Sequence, residues 1–181
     1  MPSMDRCEQY NAHLAAHDAF VRGDMDALKT TLGNPSDFPN NRLPMELVIG
    51  DHVLEYAIYH SPVTFIRALL EMGADPNYAD SAGFPSLIAA ISSERKDKAG
   101  IVELLIAAGA DIQQRGGNDY TPLHDAVSRQ DQQMVMLLLS HGADLHARTR
   151  IDDYATPLEE AKILGLSEMV ALLQIYGSRE P

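Results

Sequence analysis

The chain has 181 residues, of which 45% are hydrophobic and 22% charged, and its formal net charge at pH 7 is −12. These proportions are typical of a folded, soluble protein and exclude global disorder. The acidic excess opposes the phosphate neutralisation that drives nucleic-acid binding, so DNA and RNA are not expected partners.

The N-terminal segment 1–8 is predicted to be a loose leader. It lacks the basic and apolar regions of a secretory signal, and no stretch of the sequence reaches the roughly 20 apolar residues that cross a bilayer. A cytoplasmic protein that does not bind membranes is therefore expected. The single cysteine, Cys7, has no clustered partners of the kind found in zinc or redox motifs, and is predicted to be a free thiol.

A short sequence motif recurs along the rest of the chain. Gly-Ala-Asp begins at Gly73, Gly109 and Gly142, with spacings of 36 and 33 residues. A leucine follows each copy by a near-constant distance, and three residues after it comes an alanine. Weaker copies extend the alanine series, which then comprises Ala19, Ala57, Ala90, Ala126 and Ala161. Self-similarity at this period is typical of a solenoid, here of five units.

The first unit, 9–46, is predicted to cap the N-terminal end of the solenoid. Thr31 stands where inner units have a leucine, as expected of a unit whose outer face meets water. The turn-rich stretch from Gly33 to Asn41 is predicted to be a long surface loop.

The second unit, 47–79, shows how each unit is built. Ile66 is followed three and four residues later by Leu69 and Leu70, which is the spacing of one helical face, so each unit is predicted to hold two short amphipathic helices. The small alanines allow helices of stacked units to approach closely. Asn77, after Gly-Ala-Asp-Pro, is predicted to stabilise the turn between units.

The third unit, 80–115, keeps the repeated leucine and alanine at Leu87 and Ala90. A threonine that could cap its first helix is missing from the expected position. An insertion from Ser92 to Gly100 is predicted to lengthen the link between its two helices.

The fourth unit, 116–148, carries the clearest motif. Thr121 to Ala126 reads Thr-Pro-Leu-His-Asp-Ala, in which threonine caps a helix and proline occupies its first turn. Its helices are predicted over 123–129 and 132–140, and Gly142 is predicted to end the second. The glycine-rich stretch from Gly116 to Asp119 lacks the Lys-Ser/Thr ending of a phosphate-binding loop and is predicted to be a turn.

The fifth unit, 149–181, repeats the motif at Thr156 to Ala161 except for the histidine. An insertion around Thr149 to Asp153 is predicted to lengthen its loop. Lys162 and Gln174 stand where inner units have apolar residues, so this unit is predicted to cap the C-terminal end and the array is expected to be complete.

The motifs in the fourth and fifth units resemble the ankyrin-repeat phrase Thr-Pro-Leu-His-x-Ala, and the resemblance covers about residues 9–181. It implies an all-α solenoid of about five helix-turn-helix units with finger loops. It also implies that His124 belongs to a local hydrogen-bond network. By this resemblance the protein is expected to be a monomeric, non-catalytic module that binds another protein as an adaptor, inhibitor or effector.

The resemblance places partner binding on the concave face, formed by the exposed ends of first helices and by finger-loop tips. The helix positions are Tyr59, His60, Ser92, Ser93, Ser128 and Arg129, and the loop positions are Ser81, Ala82, Phe84, Arg115, Asn118, Tyr120, Arg148, Asp152, Asp153 and Tyr154. Aromatic residues and arginines are frequent energetic anchors of interfaces. The other interpretation of Phe84 and Tyr120 is that they pack on neighbouring loops.

The alternative function is a small enzyme or metal-binding protein with a site assembled across repeats. Its support is limited to seven histidines that form no motif. His13 and His17 lie four residues apart, but two ligands are too few for zinc, and a solvated helix face is the favoured interpretation. No catalytic residue, metal or cofactor is therefore expected, and a protein-binding module is the favoured function.

Overall fold

The computed structural model describes residues 6–43, 52–78, 83–150 and 154–178. These residues form ten α-helices and a single 3-10 turn, Gly117–Asp119. The α-helices are α1 (Arg6–Arg22), α2 (Met25–Thr31), α3 (Val53–His60), α4 (Val63–Glu71), α5 (Ser86–Ser92), α6 (Lys98–Ala107), α7 (Pro122–Ser128), α8 (Gln132–Ser140), α9 (Pro157–Ile163) and α10 (Ser167–Gly177). The predicted all-α solenoid is confirmed.

The helices pack as five successive hairpins. Each odd-numbered helix packs against the even-numbered helix that follows it, and the odd-numbered helices also pack against one another in the order α1, α3, α5, α7, α9. Each unit therefore contacts mainly its neighbours, which is the quasi-one-dimensional packing of a repeat array.

The repeated alanines lie at the contacts between units. All five, from Ala19 to Ala161, have no exposed surface. The leucine or β-branched residue that begins each second-helix face is also fully buried in the first four units, at Leu28, Ile66, Val102 and Val135. The predicted division of the core is confirmed there, with alanine between close helices and larger side chains filling the space beside them.

Helix caps follow the sequence motifs. Thr121 and Thr156 each accept a hydrogen bond from the third residue of the helix, and His124 and Glu159 complete capping boxes. The first helix of the third unit follows Pro85 and has no side-chain cap. Ser86 there donates instead to the carbonyl oxygen of Pro76, and this bond ties the start of α5 to the preceding turn.

Two predicted boundaries are wrong. Helix α1 begins at Arg6, inside the predicted leader, and Glu8 in its first turn suits the positive end of the helix dipole. Helix α6 begins at Lys98, so the link after α5 spans 93–97 and not 92–100. In that link Arg95 Nη1 donates to the carbonyl oxygens of Ile58 and Ser61, which lie at the C-terminal end of α3. The link therefore joins the second and third units by satisfying terminal carbonyl groups.

The turns that leave the second helices are also joined from unit to unit. Asn77 Nδ2 donates to Gly109 O at 2.9 Å, and Asn77 Oδ1 accepts from Asp111 N at 2.6 Å. Asn40 makes the same pair of bonds to Gly73 O and Asp75 N. The turn function predicted for Asn77 is confirmed, and Asn40 shows that the loop of the first unit is in register with the repeat.

Candidate protein-binding surface

The predicted binding residues that the structure describes lie at the C-terminal ends of the first helices and on the finger loops. We use the name finger loops for the segments that precede α5, α7 and α9, described over 83–85, 115–121, 148–150 and 154–156. Ser81, Ala82, Asp152 and Asp153 lie outside the described residues. The finger-loop and helix-end residues together form the candidate surface.

The helix-end positions are only partly available to a partner. Tyr59 and Ser92 are half-buried, and their hydroxyl groups share a hydrogen bond of 3.1 Å between the second and third units. Ser128 is half-buried and Arg129 is exposed. Ser93 is a wrong prediction, since it is 5% exposed and its hydroxyl donates to Ala90 O at 2.7 Å. It is the C-cap residue of α5 and has an extended backbone conformation at the start of the link.

His60 belongs to a cluster of rings between α1 and α3. Its ring centroid lies 5.3 Å from that of His17 and 4.4 Å from that of Tyr56, and His17 Nδ1 shares a 2.8 Å hydrogen bond with the Tyr56 hydroxyl. Burial and the neighbouring His17 lower the pKa of His60. The solvated helix face predicted for His13 and His17 is therefore wrong for His17, which is half-buried in this cluster.

The finger loops of the third and fourth units touch through glycines. Gly117 N donates to Gly83 O at 2.8 Å, and Gly116 N donates to Tyr120 O at 2.9 Å to close the fourth loop. Asn118 is exposed at its tip, in a left-handed conformation with φ 55°. The predicted turn is confirmed, and the two loops form one connected structure.

The aromatic residues of the finger loops differ in exposure. Phe84 is 37% exposed and Tyr154 is 62% exposed. Tyr120 is half-buried, stacks on the His124 ring and donates its hydroxyl hydrogen to Glu160 of the fifth unit. Tyr120 therefore has a structural role in packing against the fifth unit. Phe84 and Tyr154 are more exposed to solvent.

The finger-loop arginines are held by carboxylates. Arg115 Nη1 lies 2.8 Å from Asp119 Oδ2, and Arg150 Nη2 lies 2.7 Å from Asp119 Oδ1. Arg150 and, less strongly, Arg115 hold the pKa of Asp119 below its ordinary value. Arg148 pairs with Glu159 at 2.8 Å. Sequence reasoning missed the Asp119 pairing with Arg150, because 31 residues separate the two and no local pattern connects them.

His124 is buried in the hydrogen-bond network that the sequence motif implies. Its Nε2 lies 3.1 Å from Ala155 O, and its Nδ1 lies 2.8 Å from Thr121 Oγ1. Because a carbonyl oxygen can only accept, Nε2 carries the hydrogen and Nδ1 accepts from the threonine hydroxyl. Burial lowers the pKa of His124, so the neutral ring is favoured in the folded state. The His124 ring therefore has a structural role, as part of the hydrogen-bond network between the fourth and fifth units.

This pKa shift predicts acid sensitivity. An unfolded histidine titrates near pH 6.5, and the folded pKa of His124 is lower. The stabilising contribution is therefore complete above about pH 6.5 and is lost as the pH falls toward the folded pKa. We expect the urea-measured free energy of unfolding to fall from pH 7.5 to 5.5, and His124→Gln to remove part of that slope. Equal slopes in the wild type and in the His124→Gln variant would contradict the prediction.

A cavity of about 260 Å³ lies between the connected finger loops and α7. Its lining comprises Gly83, Phe84, Ile88, Gly117, Asn118, Tyr120, Asp125, Ser128 and Arg129. Four of these are predicted binding residues of the fourth unit and one belongs to the third unit. The structure therefore brings Phe84, Asn118, Tyr120, Ser128 and Arg129 together.

The residues that the structure describes contain neither a candidate metal site nor a candidate membrane span. No group of three or more histidine, cysteine, aspartate or glutamate side chains there is arranged to hold a metal ion. None of the helices described is both long and apolar enough to span a bilayer.

Comparison with known proteins shows a family and several partial relatives. A family model described as ankyrin repeats, in three copies, matches residues 87–179. The chain is 37% identical over 112 residues to the putative E3 ubiquitin-protein ligase XBAT35 of Arabidopsis thaliana, a match that covers 60% of this chain and 23% of that protein. It is 36% identical over 94 residues to the RelA-associated inhibitor of Mus musculus, covering 52% of this chain and 11% of the inhibitor.

A third relative is an L-asparaginase of Dirofilaria immitis, 46% identical over 66 residues, which are 36% of this chain and 11% of that enzyme. In all three relatives the match spans less than a quarter of the relative's length. The shared part is therefore a segment of larger proteins with different names.

Proposed function

The chain belongs to the ankyrin-repeat family, and from this premise we propose that it is a non-catalytic module that binds a partner protein on the candidate surface. Ankyrin repeats generally mediate protein–protein interaction, and the family is typically non-catalytic. The partner would lie across the finger loops and the ends of the first helices. Its binding would make the protein an adaptor, an inhibitor or an effector.

The observation that carries the proposal is the pair of exposed aromatic rings on finger loops whose backbones are held in place. Phe84 O accepts a hydrogen bond from the Tyr78 hydroxyl, and the adjacent Gly83 O accepts from Gly117 N. Tyr154 O accepts from Arg148 Nη1. Aromatic anchors on a rigid backbone lose little conformational freedom on binding.

The partial relatives are consistent with a module of this kind. One is named as an inhibitor associated with RelA and another as a putative ubiquitin ligase, and each shares only a segment with this chain. A segment common to proteins with such different names is better suited to recognition than to one chemical reaction.

The test removes the two exposed aromatic rings. A partner is first isolated by affinity capture from the native cell and identified by mass spectrometry, and its binding is then measured by titration calorimetry. We expect Phe84→Ala with Tyr154→Asn to weaken binding by about tenfold or more, since anchor residues contribute about 2 kcal/mol or more each. Asparagine is chosen at position 154 because that residue has φ 51°, which asparagine tolerates.

The matched control removes two exposed apolar residues from second helices. Met136 on α8 and Ile175 on α10 are as exposed as the two aromatics, at 42% and 50%. Met136→Ala with Ile175→Ala should leave affinity unchanged. If the control pair loses the partner while the aromatic pair keeps it, the binding surface is on the second helices and the proposal is wrong.

A further inference from the structure

The size and the lining residues of the cavity between the finger loops and α7 indicate a more specific ligand than a general protein surface would. Its volume of about 260 Å³ is below the roughly 300 to 1,000 Å³ of sites for drug-sized ligands. Such a space suits one side chain of a bound protein better than a free small molecule. The charge and shape of the lining residues then determine which type of side chain the cavity accepts.

The polar end of the cavity is a shielded carboxylate with spare hydrogen-bonding capacity. The Asp125 side chain is 13% exposed, and Arg129 Nε donates to its Oδ2 at 2.8 Å. Among the residues that the structure describes, no donor reaches Oδ1. Burial raises the pKa of Asp125, which reflects the cost of holding its charge in this position. A donor that reached Oδ1 would offset that cost.

The remaining walls favour a cation. Phe84 and Tyr120 are among the lining residues. A guanidinium or ammonium group near an aromatic face is attracted by the ring quadrupole. An incoming carboxylate would meet Asp125, whose charge repels it, and the nearby Arg129 is already engaged by that same carboxylate. The net charge of −12 also attracts basic partners over longer distances.

The Tyr120 side chain and the backbone of Phe84 are held in place before a ligand arrives. Tyr120 is fixed by its hydrogen bond to Glu160 and by stacking on His124 at 5.5 Å. The backbone of Phe84 is held by the hydrogen bonds described above. A guanidinium group can lie against such a ring and still direct N–H groups toward a carboxylate, which a compact ammonium group does less well.

We propose that the cavity receives an arginine side chain from a basic segment of the partner protein, with its guanidinium donating to Asp125 and lying against Phe84 and Tyr120. This inference rests on the proposed function and specifies the chemistry of the partner. Arg129 remains bonded to the other carboxylate oxygen, Oδ2, where it partly neutralises Asp125 and places a positive charge beside the incoming guanidinium.

The experiment uses N-acetyl-L-arginine amide as the probe and N-acetyl-L-citrulline amide as its uncharged isostere. Each is titrated into the full chain at pH 8 and followed by the backbone amide signals in heteronuclear NMR. We expect saturable shifts at Phe84, Tyr120 and Arg129 with a dissociation constant on the order of 1 mM for a ligand of this size. Citrulline amide should bind at least about tenfold more weakly, because a charge-assisted bond is replaced by a neutral one.

Two variants should move the affinity in opposite directions. Asp125→Asn should weaken arginine binding by about tenfold or more, since it removes the charged acceptor. Arg129→Gln should strengthen it by about threefold or more, since it removes a positive charge that repels the incoming guanidinium. Damage to the fold could weaken binding in both variants, but it could not produce a gain in one of them. Amide spectra of both variants report the fold independently.

The inference is wrong if citrulline amide binds as well as arginine amide, or if both variants weaken binding. Its failure can be separated from failure of the proposed function. If Phe84→Ala with Tyr154→Asn loses the captured partner while Asp125→Asn keeps full affinity for it, the surface binds the partner without an arginine anchor. If the aromatic pair keeps the partner although the arginine probe binds the cavity, the proposed surface is wrong, and the cavity binds a guanidinium group that the captured partner does not supply.

Discussion

Replacing Gly116 with alanine should lower the free energy of unfolding by about 3 kcal/mol, at the upper end of the cost of overpacking. A Cβ atom at this position would overlap the carbonyl oxygen of Gly83 and lie 2.6 Å from Ile88 Cδ1. The Gly83 oxygen is backbone and is already bonded to Gly117 N, so it cannot move without separating the finger loops of the third and fourth units. Denaturant unfolding measures the loss directly.

The neighbouring glycine provides the control. A Cβ atom on Gly117 would lie 3.8 Å from Gly83 O, which is ordinary van der Waals contact. Gly117→Ala should therefore change stability by no more than about 0.5 kcal/mol. Amide hydrogen exchange at residue 117 gives a second measurement, because separation of the loops in Gly116→Ala should expose that N–H group. Equal stability of the two variants would show that the finger loops are not in close contact.

Ala126→Leu should lower the free energy of unfolding by about 1 to 3 kcal/mol. Ala126 is fully buried on α7, which packs against α5 on one side and α9 on the other. Three added carbon atoms would have to force these helices apart or adopt a strained rotamer. The effect should extend to the cavity, because Asp125 and Ser128 lie on the same helix.

Ala107→Leu is the matched control for this change. Ala107 is the last residue of α6 and is exposed, so leucine at this position meets solvent and should alter stability by no more than about 0.5 kcal/mol. Urea unfolding midpoints of both variants give the comparison. An unchanged midpoint for Ala126→Leu would place the close contact between units at another residue.

The candidate site could be predicted only in part. The repeat predicts that five of the candidate residues lie near one another, since equivalent positions of stacked units are adjacent. These are Phe84, Asn118, Tyr120, Ser128 and Arg129. The cavity that they share with Asp125 could not be predicted from the same pattern. Its form depends on the approach of Gly83 to Gly117, and on how far the Tyr120 ring turns toward Glu160.

The wrong predictions have a common origin. A one-dimensional pattern counts residues from a motif and treats every position that is not apolar as exposed. Ser93 is polar and follows the end of a first helix, yet its hydroxyl bonds to Ala90 O and the residue is buried. The link beside it is shorter than predicted because Ser92 belongs to α5 and Lys98 to Gly100 belong to α6.

The sequence by itself determined that each unit has two helices, the threonine caps of the fourth and fifth units, and the identity of the repeat. These features depend on residues within one helical turn of each other, as in the bond of Thr121 with the third residue of its helix, or on a spacing that repeats along the chain. Tertiary structure alone decided the contacts of Asp119 with Arg150 and of Tyr120 with Glu160, whose partners lie 31 and 40 residues apart. Such pairs form only once stacking has set the distance and rotation between units, because side-chain hydrogen bonds require alignment within a few tenths of an ångström.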